Sequence, residues 1–211
     1  MRITLNTITP PVTYPVESSE AMTWLKWDPS NLSESVLIDE LIATATSLVE
    51  YYTARAIITQ TLEMQLIPEV KSTMLGGQRL AGYESLPQIF KLYRPPLQSV
   101  TSIKAIELDG TEHLIPSTNY TYDAKSLVGR IKLNYDTAWD YYDEGSYVIR
   151  YIAGYGTTID KVPPQIKHAI RLITSQLYGN REKGIASLTL EQQSELDLVL
   201  QELVITHHDL E

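Results

Sequence analysis

Hydrophobic positions along the chain change period twice. Residues 3–8 alternate as a short strand, and Pro10-Pro11 turns the chain into a short helix. Ser18 or Ser19 is the expected N-cap of that helix, with Glu20, Ala21, Met22, Trp24 and Leu25 behind it and Pro29 closing it. Leu37, Leu41, Ala45, Leu48 and Tyr52 then recur at helical spacing with Ile38, Ile42 and Val49 beside them, which predicts a helix over 33–55. From Ile57 the period falls to two. Ile58, Gln60, Leu62 and Met64 alternate with Thr59, Thr61 and Glu63 as a strand that Pro68 stops.

The middle of the chain continues in short pieces. Three glycines in 75–82 predict a mobile loop, and strand-like runs follow at 89–93 and 100–108. Asp109-Gly110 is a hairpin signal before 112–115, and 120–122, 128–133 and 147–151 complete a small antiparallel sheet or barrel. Helical spacing returns after Val162-Pro163-Pro164, where Ile166, Ile170, Ile173 and Leu177 mark one face and Gly179 ends it. A hinge is expected at 181–184. Beyond it, residues 191–205 carry an apolar stripe of Leu196, Val199, Leu200 and Leu203. Two readings of that stripe stand open: it folds back on its own domain, or it belongs to an arm that docks on a partner. The expected architecture is α+β, mainly a helical bundle from the N- and C-terminal segments beside a small antiparallel β sheet, with a mobile loop and a C-terminal helical arm.

Composition narrows the chemistry. Cysteine is absent, so there is no disulfide framework, thiolate nucleophile or Cys-based metal site. No stretch approaches the ~18–20 apolar residues of a membrane span. A soluble, cytosol-made protein is the expectation. Seventeen bases against 26 acids give a formal charge of −9, which argues against gripping nucleic acid or lying on an anionic membrane. Residues 181–211 alone hold seven acids and two bases, so over half of the excess sits in the last stretch. Fourteen Tyr and three Trp against one Phe favour half-buried surfaces and subunit contacts over a dry core.

The order of the pieces resembles a known family. A capped helix ending Val49-Glu50-Tyr51-Tyr52-Thr53-Ala54-Arg55-Ala56 leads to a strand at Thr59-Gln60-Thr61. Leu92-Tyr93-Arg94-Pro95-Pro96-Leu97-Gln98-Ser99-Val100-Thr101-Ser102-Ile103 and the Asp109-Gly110 hairpin follow, then a strand containing Tyr120. Val148-Ile149-Arg150-Tyr151-Ile152-Ala153-Gly154-Tyr155-Gly156, Val162-Pro163-Pro164 and a helix ending Leu177-Tyr178-Gly179-Asn180-Arg181-Glu182 close the series. Over about residues 18–182 this is similar to the head–tail connector family of tailed bacteriophages, also called adaptor or head-completion proteins. The resemblance implies a structural virion protein of the neck. It would form a homo-oligomeric ring, twelvefold in the virion, that docks beneath the portal, extends the DNA ejection channel and offers a surface to a stopper or tail-completion protein. DNA would pass without sequence-specific binding. The expected division is an N-terminal strand or arm (1–17), a connector domain (18–182) covered by the resemblance, with helices at 19–27, 33–55 and 163–179 and strands between 57 and 152, and an acidic amphipathic C-terminal helix or arm (183–211) that rests on its own charge and apolar pattern.

Candidate sites follow from this frame. Leu196, Val199, Leu200 and Leu203 are the candidate portal- or partner-binding stripe, and Gly76, Gly77, Arg79 and Gly82 the candidate tail-side mobile loop. Asp136, Trp139, Asp140, Tyr141, Tyr142, Asp143 and Glu144 form an acidic, aromatic segment expected at a subunit contact or the channel. Those acids fit no EF-hand spacing. Gly154-Tyr155-Gly156 lacks the Lys-Ser/Thr of a P-loop and reads as a turn with unusual backbone angles. The four histidines have no metal-ligand spacing, and no Gly-x-Ser-x-Gly elbow is present. No catalytic residue, cofactor or metal is expected. The alternatives are a stand-alone binding or regulatory domain and an enzyme of unrecognised type.

Overall fold

A computed structural model describes residues 2–26, 35–67, 70–75, 78–83, 89–134, 145–179, 194, 197 and 200–205. The chain divides into two compact units. Unit 1 comprises residues 1–10, 60–153 and 210–211; unit 2 comprises 11–59 and 154–209.

Unit 1 is built from strands. β1 (Arg2–Thr9), β2 (Gln60–Ile67), β10 (Ser146–Ala153), β6 (Leu97–Ile106) and β7 (Glu112–Ile115) form one sheet in that order, antiparallel throughout. Strict alternation along β2 and β10 assigns each residue a face. Leu62, Met64 and Leu66 lie opposite Tyr151, Ile149 and Tyr147, and all six are buried. Ile103, Ala105 and Ile115 continue that face. The other face is half-buried and polar: Arg150 donates to Glu63 at 2.7 and 3.1 Å, and Gln65 to Ser146 at 3.1 Å. A second sheet joins β5 (Ile89–Lys91), β9 (Arg130–Leu133) and β8 (Tyr120–Asp123). Two contacts tie it to the buried face of the first. The Tyr151 hydroxyl donates to the Tyr93 carbonyl at 2.6 Å, and Gly129 lies so close to Leu97 that a Cβ there would come within 2.4 Å. β3 (Val70–Leu75) and β4 (Gln78–Tyr83) pair as a two-stranded ribbon.

Unit 2 is helical. α1 (Ser18–Trp24), α2 (Ser35–Thr53) and α3 (Pro164–Gly179) pack around one core of Val16, Met22, Ile38, Ile42, Val49, Ile57, Ile58, Ile166, Ile170 and Ile173. Small residues, Ala45 on α2 and Ala169 on α3, are fully buried there and let helix backbones approach. α2 stops where Ala54 turns left-handed at φ 54°, and the Glu50 carboxylate accepts from the Ile57 N–H at 2.8 Å. Gly154 begins the return of the chain from the sheet. Its neighbour Tyr155 donates to Ile57, and Thr59 donates to Gly156, both at 3.0 Å. The Tyr155 N–H is thus spent inside the fold, which fits the turn reading of Gly154-Tyr155-Gly156.

Three expectations are corrected. The chain is α+β, but not mainly a helical bundle beside a small sheet: among the described residues ten strands in three sheets stand against three α-helices. Helical spacing is local and easily read, whereas the size of a sheet depends on pairings such as β1 with β2, which join residues some sixty positions apart. The segment expected as a glycine-rich loop holds β4, with Leu75 opposite Gln78 across Gly76 and Gly77. The first helix has Glu17, not a serine, at its N-cap, without a side-chain capping bond; the Ser18 hydroxyl instead donates to the Asp39 carboxylate of α2.

Candidate interaction surfaces

Exposed groups fall on three surfaces, and the C-terminal segment is a fourth place to consider. The first is the β6–β7 hairpin. Asp109 accepts from the Thr111 N–H at 2.8 Å, and that bond holds its carboxyl below the usual 3.8. Gly110 takes the left-handed position the turn needs, at φ 89°. Lys104 meets Glu112 at 2.7 Å and holds its carboxyl below the usual range. On either side of the turn Leu108 and Leu114 are 71% and 66% exposed.

The second surface is the outer face of the three-stranded sheet. Lys91 lies opposite Arg130, and Lys132 lies between Ile89 and Thr121, with Lys125 in the turn beyond. Asp123 is the acid beside them, and it is committed to its own turn, accepting from Ser126 and from the Lys125 N–H. Those bonds, the Ser126 hydroxyl first, hold it below 3.8. An acidic protein therefore carries a locally basic sheet face.

The third surface lies in unit 2. Trp24, 45% exposed, meets the edge of His168 at 5.6 Å between centroids, and the Arg171 guanidinium sits 5.4 Å from the Trp24 ring. Glu20 holds Arg171 at 2.9 Å. An Arg stacked on a half-exposed Trp is of the kind that anchors protein interfaces. On α2, Val36, Glu40, Thr44, Ser47 and Tyr51 share the exposed face. Thr44 and Ser47 donate to the backbone four residues back, at 2.9 and 3.1 Å, so their polar atoms are already satisfied.

The C-terminal segment is the fourth place. Leu200 is 1% exposed in the core of unit 2, with Leu203 packed against that core. The Arg55 Nε donates to the Leu203 carbonyl at 2.6 Å, and the Ile205 N–H donates to the Thr53 carbonyl at 3.0 Å. Tyr52 donates to Asp197, a bond that pushes the phenol up from its usual value.

Set against these surfaces, the sequence-predicted residues divide. Leu200 and Leu203 are taken up by their own unit, while Leu196 and Val199 lie outside the described residues. Arg79 and Gly82 stand on β4, and Gly76 and Gly77 lie outside the described residues. So does the whole set Asp136, Trp139, Asp140, Tyr141, Tyr142, Asp143 and Glu144. Sequence reading missed the Trp24–His168–Arg171 group, whose members are 144 and 147 positions apart along the chain. It missed the basic sheet face too, although Arg130 and Lys132 at i and i+2 carry that signal.

No protein-family model and no curated protein matches the sequence. Solved structures do share its fold. A chain in the neck of an empty gene transfer agent (GTA) particle, computed with C6 symmetry, matches with a TM-score of 0.72 at 17% identity, over 97% of this chain and 96% of that one. A chain of the virion of a native GTA particle matches at 0.70 and 17%, over 96% of each. Another, from the neck of a native GTA particle computed with C12 symmetry, matches at 0.66 and 15%, over 97% and 96%. At such identities the likeness is one of fold.

Proposed function

We propose that this chain is a structural protein of a virion neck, acting as a head–tail connector or adaptor. The single observation that carries the reading is the likeness of fold along nearly the whole of both chains to a protein in a particle neck. The order of sequence segments points the same way. Copies assemble into a ring, and the C6 and C12 symmetries of the similar necks support twelve as its number. The ring sits beneath the portal, prolongs the DNA channel and presents a face to a stopper or tail-completion protein. It carries out no catalysis and needs no cofactor.

Within that reading, the β3–β4 ribbon is the candidate tail-side contact. The segment from Asp136 to Glu144 faces the channel or a neighbouring copy, where its acids repel the duplex and let it slide. Leu200 and Leu203 serve the core of unit 2 and are given no partner. Repetition of a modest contact around a ring supplies the avidity that closes it. The test is to mix the purified full chain with its portal ring and weigh the product. Joining the portal in a fixed multiple supports the proposal, and a strict monomer that ignores portal overturns it.

A further inference from the structure

The five-stranded sheet ends in two edges that its register sets at the same height. Across the sheet, Ile3 is level with Leu66, Tyr147, Ala105 and His113. The next row is Thr4, Gln65, Val148, Lys104 and Leu114. Arg2 therefore stands at the height of Glu112, and both share one face of the sheet with Thr4 and Leu114. Five strands joined by four antiparallel pairings also make β1 and β7 run in the same direction. The two edges are thus matched in height and direction while differing in surface, as a head-to-tail joint between identical subunits requires.

β1 is unusually open for an edge. Natural edges are blunted by Lys, Pro, brevity or cover. Here residues 3–9 contain no charge and no proline, five of the seven are β-branched, and no described strand pairs with the outer side. Ile8 is 44% exposed. Arg2 is exposed and meets no carboxylate among the described residues. Glu112, at the same level on the far edge, is exposed and bonded to Lys104 on the inner side, and Leu114 beside it is 66% exposed. The exposed charges of the two edges are opposite in sign, Arg2 on one and Glu112, already bonded to Lys104, on the other.

We propose that β1 and β7 are the two halves of one interface between copies of this chain. β7 of one copy pairs in parallel with β1 of the next, bringing Glu112 to Arg2 and Leu114 to Thr4, so that the sheet continues from subunit to subunit around the ring. This rests on the ring reading above and assigns the surfaces that make the ring. A strand pairing also explains why an aggregation-prone edge is tolerated: it is covered whenever the ring is formed.

The absence of cysteine makes the test direct. Paired strands bring Cα atoms to about 5 Å, within disulfide range. Full-length chain carrying both Thr4→Cys and Leu114→Cys, mildly oxidised alone and with the portal ring, is expected to give a ladder of covalent multimers on a non-reducing gel, whereas each single variant gives none. Linking of Thr4→Cys to itself overturns the proposal in favour of a two-fold β1–β1 contact. Absence of a ladder from variants that still assemble by mass overturns it while leaving the ring reading standing; absence of any assembly, in wild type as well, overturns both. Charge reversal is the second arm. Arg2→Glu and Glu112→Arg each raise the concentration for half-assembly about fivefold, and together they return it to within about twofold of wild type. Singles without effect, or a double variant as weak as the singles, overturn the proposed contact.

Discussion

Gly154 is the residue on which the passage from sheet to helix turns. It holds φ at 126°, and a Cβ there would lie 2.6 Å from the Ile58 carbonyl carbon and 2.7 Å from both the Ile58 oxygen and the Thr59 nitrogen. Both the backbone angle and the space exclude a side chain. Gly154→Ala is expected to cost about 2–4 kcal/mol, read as a lower urea midpoint with unchanged slope. The need for a special turn at Gly154-Tyr155-Gly156 was legible in the sequence because glycine spacing is a local signal. Its partner Ile58 was not, since nothing local links two residues 96 positions apart. The exposed carboxyls give a second prediction at this scale. Asp109, Glu112, Asp123 and Asp160 are held below their ordinary 3.8 or 4.5, chiefly by hydrogen bonds from Thr111, Lys104, Ser126 and Thr158 in turn. Their folded values lie below the unfolded ones, so their support is complete above about pH 5 and is lost as pH falls through the folded values. Thermal melts at constant ionic strength are expected to be flat in these groups from pH 5 to 7 and to drop below pH 4.

Among the elements, helices were the easiest to foresee. The spacing of Leu37, Leu41, Ala45, Leu48 and Tyr52 predicted α2, but its buried side is lined by the neighbouring Ile38, Ile42 and Val49 together with Ala45, while Leu37, Leu41 and Leu48 are half-buried and Tyr52 is exposed. Strands were found one by one by alternation, but their assembly was not, because a five-stranded sheet is a set of long-range pairings and alternation fixes only faces. The glycines of 75–82 were read as looseness; Gly82 stands within β4 of a paired ribbon, and Gly76 and Gly77 lie outside the described residues. The C-terminal segment shows the limit of an apolar stripe as a signal: periodicity reveals that a face will be buried without telling against what. The structure answers for Leu200, which lies in the core of unit 2 with Ile205 also buried at 6% exposure. Leu200→Ala is expected to destabilise the protein by about 2–5 kcal/mol. A substitution neutral in chemical unfolding, combined with loss of portal binding, would instead show that this leucine serves a partner.

At the scale of the whole molecule, charge is unevenly shared. Unit 1 holds ten bases and twelve acids, whereas unit 2 holds seven bases and fourteen acids, so most of the −9 belongs to the helical unit. The strand-built unit is close to neutral, which suits it to contact between copies that would otherwise repel one another. In the account given above, its sheet edges join subunits, and the fold as a whole is the part that a particle neck repeats. The measurement that tests this most directly is electron microscopy of the full chain incubated with its portal ring. The account predicts class averages with a second ring of twelve subunits stacked on the portal and a channel open along the axis. Portal rings that stay bare at saturating protein, with this chain remaining monomeric beside them, would contradict it.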